Sequence, residues 1–164
     1  MDPELAIKNG YIGYCLSSMT LHGPEPLVVS DKFKEFSKIS ETALLGLSVN
    51  SIITSGSFRV DASKSINELI SLVPVPEFPQ LTALTFSFTS INEELAKQDP
   101  RAKKGAATIF AIIFPSDLTI ALQRLSSAIP IVIDVVNQHK NINQLMNAKL
   151  LERVAILVLK KLLY

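Results

Sequence analysis

The segment that most constrains the fold is AATIFAIIF, residues 106–114, where β-branched, aromatic and small apolar residues occupy both alternating sides. A strand with one wet face alternates apolar with polar residues, whereas one apolar on both sides is covered on both. The chain therefore predicts a sheet with a central strand packed above and below. With 48% hydrophobic and 19% charged residues in 164, it has the apolar material for such a core. Its length fits one domain.

Other segments supply the partners of that strand. Residues 11–19, YIGYCLSSM, are rich in β-formers and run into LHGPEP, then Leu27-Val28-Val29. Two strands around a Gly23-Pro24 turn read as a hairpin. Ser30 and Asp31 are N-cap residues for an amphipathic helix carrying Phe33, Phe36, Leu44, Leu47 and Ile52 on one face and ending near Gly56. Residues 58–61, FRVD, predict a short strand, and Ile66, Leu69, Ile70 and Val73 predict a short helix over 63–73. Pro74, Pro76 and Pro79 predict an extended linker across the domain surface. Leu84, Phe86 and Phe88 alternate with Thr85, Ser87 and Thr89, the pattern of a half-buried strand. The charged stretch 92–105 then reads as an exposed hairpin loop before the central strand.

Pro115-Ser116-Asp117 ends that strand and provides a cap, Asp117, for a helix over 118–139. Pro130 either kinks this helix or separates two. A last helix spans 143–164. The expected class is α/β (α+β): an antiparallel four- to five-stranded sheet, a helix after the first hairpin, and two or three C-terminal helices. Residues 1–10 read as a flexible lead-in and 11–164 as the single domain.

Formal net charge is +1, from 16 basic and 15 acidic side chains, which gives no broad field for nucleic acid. Cys15 is the only cysteine, so neither an internal disulfide nor a cysteine zinc cage is available. The opening MDPELAIKNG lacks a signal-peptide pattern, and no apolar run reaches membrane-spanning length, so the expected location is cytoplasmic, at most peripheral at a membrane.

No phosphate loop, dinucleotide fingerprint, GxSxG elbow or HExxH motif is present. His22 and His139 have no carboxylate or cysteine at ligand spacing, and Cys15 reads as a small buried hydrophobe. Asp61, Glu68 and Asp117 are scattered carboxylates. No catalytic residue, metal or cofactor is therefore expected. Arg101, Lys103 and Lys104 form one basic cluster, a candidate anion or membrane-surface contact diluted by Glu93, Glu94 and Asp99. The final helix contains VAILVL, apolar all around, so it is either wedged in the core or partly covered by another subunit. Val154, Leu157, Val158 and Leu162 are its candidate partner contacts.

The order strand, turn, strand, helix, further strands, C-terminal helices resembles the longin-like and roadblock-like α/β domains. The opening YIGYCLSSMTLHGPEPLVVSDKF is similar to the start of longin domains of the folliculin and nitrogen-permease-regulator-like type. The insertion at 58–80 and the length of the last two helices depart from that pattern. The resemblance implies a non-catalytic scaffold, a homo- or hetero-dimer with a longin- or roadblock-type domain, that engages a small GTPase or a trafficking complex. It assigns no arginine finger among Arg59, Arg101, Arg124 and Arg153. Two other readings stay open: a ligand-binding protein or enzyme whose pocket joins residues distant in sequence, and a subunit of a larger assembly.

Overall fold

The computed structural model describes residues 2–20, 23–35, 57–60, 68–75, 78–88, 97, 108–118, 120, 124–138 and 146–164. The strands are β1 (Gly13–Thr20), β2 (Gly23–Val29), β3 (Ser57–Val60), β4 (Glu68–Val75), β5 (Phe78–Phe88) and β6 (Thr108–Pro115). The helices are α1 (Pro3–Lys8), α2 (Asp31–Lys34), α3 (Leu125–Gln138) and α4 (Ala148–Leu163). The strands form one sheet in the order β2-β1-β6-β5-β4-β3, every pairing antiparallel. The mixed α+β class expected from the sequence is present, with six strands where four or five are predicted.

The additional strand is β4, which takes residues 68–73 of the stretch 63–73 read as a short helix, residues 63–67 lying outside the described ones. Short apolar runs fit both periods, and here pairing decides: β4 lies between β3 and β5, with Ile70 opposite both Phe58 and Phe86. Of the proline-rich stretch read as a surface linker, Pro74 and Pro79 lie in the paired strands β4 and β5, and Pro76 lies outside the described residues. Val75 pairs with Phe78, and the register shifts between Pro74 and Val75, the kind of irregularity where a strand tolerates proline. Gly23 and Pro24, read as the turn, are the first residues of β2, with Thr20 opposite Gly23.

The segment 1–10, read as flexible, carries the capped helix α1. Asp2 accepts from the Glu4 amide at 3.1 Å and Pro3 takes the first turn, where a missing N–H costs nothing. At the other end Gly10 adopts φ 73°, and the amides of Gly10 and Tyr11 donate to the carbonyls of Ile7 and Ala6. This is a left-handed C-terminal cap, which favours glycine. Ala6 and Ile7 are buried in the main core.

Two unequal faces flank the central strands. On one, Tyr14, Leu16, Leu84, Phe86, Phe110 and Ile112 meet α1, α3 and α4. The Phe86 and Phe110 rings stack at 6.2 Å between centroids. On the other, smaller residues (Cys15, Ala83 and Ala111, all fully buried) pack with Ile109, Ile113 and Phe33 of α2. β6 is thus covered on both sides, as its composition predicts. At its centre β5 is covered on both sides and not half-buried, since Thr85 on its polar side is 1% exposed; Thr89 and the side chains of Ser87 and Phe88 lie outside the described ones.

Ser30 joins the first hairpin to α2. Its Oγ accepts from the Tyr14 amide at 2.9 Å and from the Phe33 amide at 3.4 Å, while its own amide donates to the Tyr14 carbonyl. Beyond Glu35, the predicted helix to Gly56 lies outside the described residues. α3 runs unbroken through Pro130, which is exposed, so one helix and not two passes that residue. α4 begins later than predicted, at the cap Asn147, whose Oδ1 accepts from the amides of Lys149 and Leu150.

Candidate functional site

The candidate partner contacts on the last helix divide sharply. Val154, Val158 and Leu162 are 3%, 0% and 0% exposed and belong to the main core, leaving Leu157 at 44% exposure as the one on the surface. The helix that is apolar all around is therefore wedged in the core. It packs against the sheet, α1 and α3, so several neighbours cover what one could not. Burial of an aliphatic side chain contributes about 1.5–3 kcal/mol, so these three residues stabilise the domain itself. As partner contacts they are corrected to core.

Arg101, Lys103 and Lys104 lie outside the described residues, as do His22, His139 and Asp61. Cys15 is fully buried, and burial pushes its thiol well above the ordinary 9.0, against the opposing pull of the Ser17 side chain and the Ala111 backbone. Ser17 nevertheless reaches no partner in hydrogen-bond geometry. Such a thiol is not an available nucleophile. Asp117 is exposed in a turn after β6 and caps no described helix, since α3 starts at Leu125. Ser116 fixes that turn: its amide donates to the Gln80 carbonyl at 2.8 Å, its hydroxyl donates to the Pro79 carbonyl at 3.0 Å, and it meets the Thr82 hydroxyl at 2.7 Å.

This turn borders an open depression of about 550 Å³ lined by Tyr11, Lys32, Gln80, Leu81, Pro115, Ser116 and Asp117. A phenol, an amine and a carboxylate share its rim, but the Lys32 ammonium is already 3.1 Å from Glu35. Its residues come from four separate stretches of chain, so no local motif announces it. Among the described residues no three His, Cys, Asp or Glu side chains are grouped to hold a metal, and no helix is long and apolar enough to cross a membrane.

The sheet edges differ in chemistry. β2 ends the sheet on one side and contains Pro24 and Pro26, which have no N–H to offer an added strand. β3 ends it on the other side as Ser57–Val60, SFRV, with no proline. With both faces of the central strands buried, this edge is the candidate interface. No family model, no curated protein and no solved structure matches the chain.

Proposed function

We propose that this chain is a non-catalytic interaction domain of longin-like type, which pairs with a similar domain by strand addition at β3 and engages a small GTPase or a trafficking complex. The observation that carries the reading is the asymmetry of the edges: two prolines in β2, none in β3. Strand addition supplies main-chain hydrogen bonds without a deep pocket, which suits a sheet already covered on its central faces. The element order supports the longin-like part in that a helix follows the first hairpin and α3 and α4 follow the last strand, whereas α1, ahead of β1, is an addition to that order. The insertion that departs from the simplest longin pattern contributes β3 and β4 and thereby the edge itself.

Size-exclusion chromatography with light scattering tests the pairing, with twice the 18.0 kDa chain mass as the expected result. Capture from the native host with GDP and GTP analogues tests the second part. A monomer at high concentration that recovers no GTPase or trafficking subunit overturns the proposal.

A further inference from the structure

We propose that the outer ridge of α4 is a contact for an anionic phospholipid surface. Along this helix Lys149, Arg153, Lys160 and Lys161 are all exposed, and its single carboxylate, Glu152, is only half-exposed. The whole chain carries only +1, so these cations are concentrated here and not the product of a basic composition. Lys149, Arg153, Leu157 and Lys160 follow one another at helical spacing on the side opposite the buried Leu151, Val154, Val158 and Leu162. From Lys149 to Lys160 the row runs about 16 Å at 1.5 Å per residue.

Two further observations separate a lipid plane from an acidic protein. The row is the convex back of a helix whose other side is in the core, so it offers a protein partner no recess, whereas a headgroup plane meets every cation on a ridge together. Leu157 stands between Arg153 and Lys160 with 44% of its surface exposed, and Leu5 of the adjoining α1 is 55% exposed. Cations flanking isolated aliphatic side chains suit the boundary between headgroups and acyl chains. The ridge also shows its preference within the fold, because Lys160 reaches the Glu4 carboxylate of α1 at 3.7 Å.

The proposal does not depend on strand addition at β3. Its test is sedimentation of the full chain with vesicles of phosphatidylcholine and phosphatidylserine in equal parts, beside vesicles of phosphatidylcholine alone. The protein is expected to pellet with the anionic vesicles at about 10 mM salt, less at about 150 mM, and not with the neutral ones. Loss of one cation near such a surface lowers partitioning about fivefold, so Lys149→Gln with Arg153→Gln lowers it about twenty-five-fold. Glu4→Gln releases Lys160 and is expected to raise partitioning onto the anionic vesicles alone by up to about fivefold, whereas misfolded protein would pellet with the neutral vesicles as well. Failure to pellet at low salt, or equal pelleting of the double variant, overturns the proposal. Tighter binding to soluble polyglutamate than to the vesicles, charge for charge, overturns it in favour of an acidic polypeptide.

Discussion

Replacing Thr85 with valine should make the protein more stable. Thr85 lies in the middle of β5, opposite Ala111 of β6 and Ser71 of β4, and is 1% exposed. Its Oγ1 is buried with no hydrogen-bond partner among the described residues. A buried hydroxyl left unpaired costs about 1–3 kcal/mol, because the hydrogen bond to water in the unfolded chain is not replaced. Valine keeps the branched shape and the strand preference while removing that group. The expected gain is about 1–2 kcal/mol, or roughly 4 °C in Tm for a chain of this length. Urea denaturation is the assay, with a higher midpoint and an unchanged slope. Thr85→Ser is the counterpart: it keeps the hydroxyl, loses a buried methyl and should cost about 1 kcal/mol. If Thr85→Val instead destabilises by a kcal/mol or more, the hydroxyl has an acceptor and the face beside α2 is not the apolar layer described here.

Gly13→Ala should destabilise by about 1–3 kcal/mol through overpacking, since an added Cβ would lie 3.0 Å from the Phe33 amide nitrogen and 3.3 Å from its Cα; a chemical melt measures it. Ser30→Ala removes the α2 cap and strands the Tyr14 amide, for an expected loss of about 2 kcal/mol in the same assay. Two neutral acids also set an alkaline limit. The Cys15 thiol is raised from 9.0 by burial, and the Tyr14 phenol is raised from 10.0 by burial and then by the Glu152 and Asp31 carboxylates. Unfolding releases protons from both above their ordinary values, so stability is full below about pH 9 and falls as pH rises, by at most about 1.4 kcal/mol per pH unit for each group. Cys15→Ala should flatten the first part of that fall, and the native thiol should stay unlabelled by thiol reagents at pH values where the unfolded chain reacts.

The parts of the fold legible in the sequence are those in which one physical demand dominates. Residues 109–114 are apolar on both sides, and no arrangement except cover on both satisfies them. Ser30 stands before Phe33 as a cap, and Leu125 to Gln138 carries a helical stripe strong enough to continue through Pro130. The α1 helix, in the segment read as a flexible lead-in, was missed: Asp2, Pro3 and the Asn9-Gly10 pair are start and stop signals, but they enclose only six residues, too short for a period to show. Residues 68–73 were not legible as a strand either, because the pattern Ile66, Leu69, Ile70 and Val73 satisfies a helix locally, while the strand over Leu69, Ile70 and Val73 belongs to pairing with partners such as Phe58 and Phe86 across the sheet. Pairing energy between distant segments has no local signature.

The surface of the last helix illustrates a different limit. Its sequence advertises Val154 to Leu159 as surplus apolar surface, whereas Lys149 and Arg153 carry no local signal and Lys160 and Lys161 read as cations that suit the end of the helix dipole. All of the run but Ile156 and Leu157 is buried because α1, α3 and the sheet divide it among them, an outcome that depends on a helix in the segment read as a flexible lead-in. Once those neighbours are in place the residues left outside are chiefly the cations. In a helix that is packed on most sides, the exposed face is a narrow remainder, and the remainder is defined only after the neighbours are known. The same logic applies at the sheet, where burial of both central faces leaves the edges as the differing surfaces, and Pro24 and Pro26 distinguish one edge from the other. Burial thus does more than stabilise this chain: by using up its apolar faces it determines that the strand edges and one ridge of the last helix are the surfaces left outside the core.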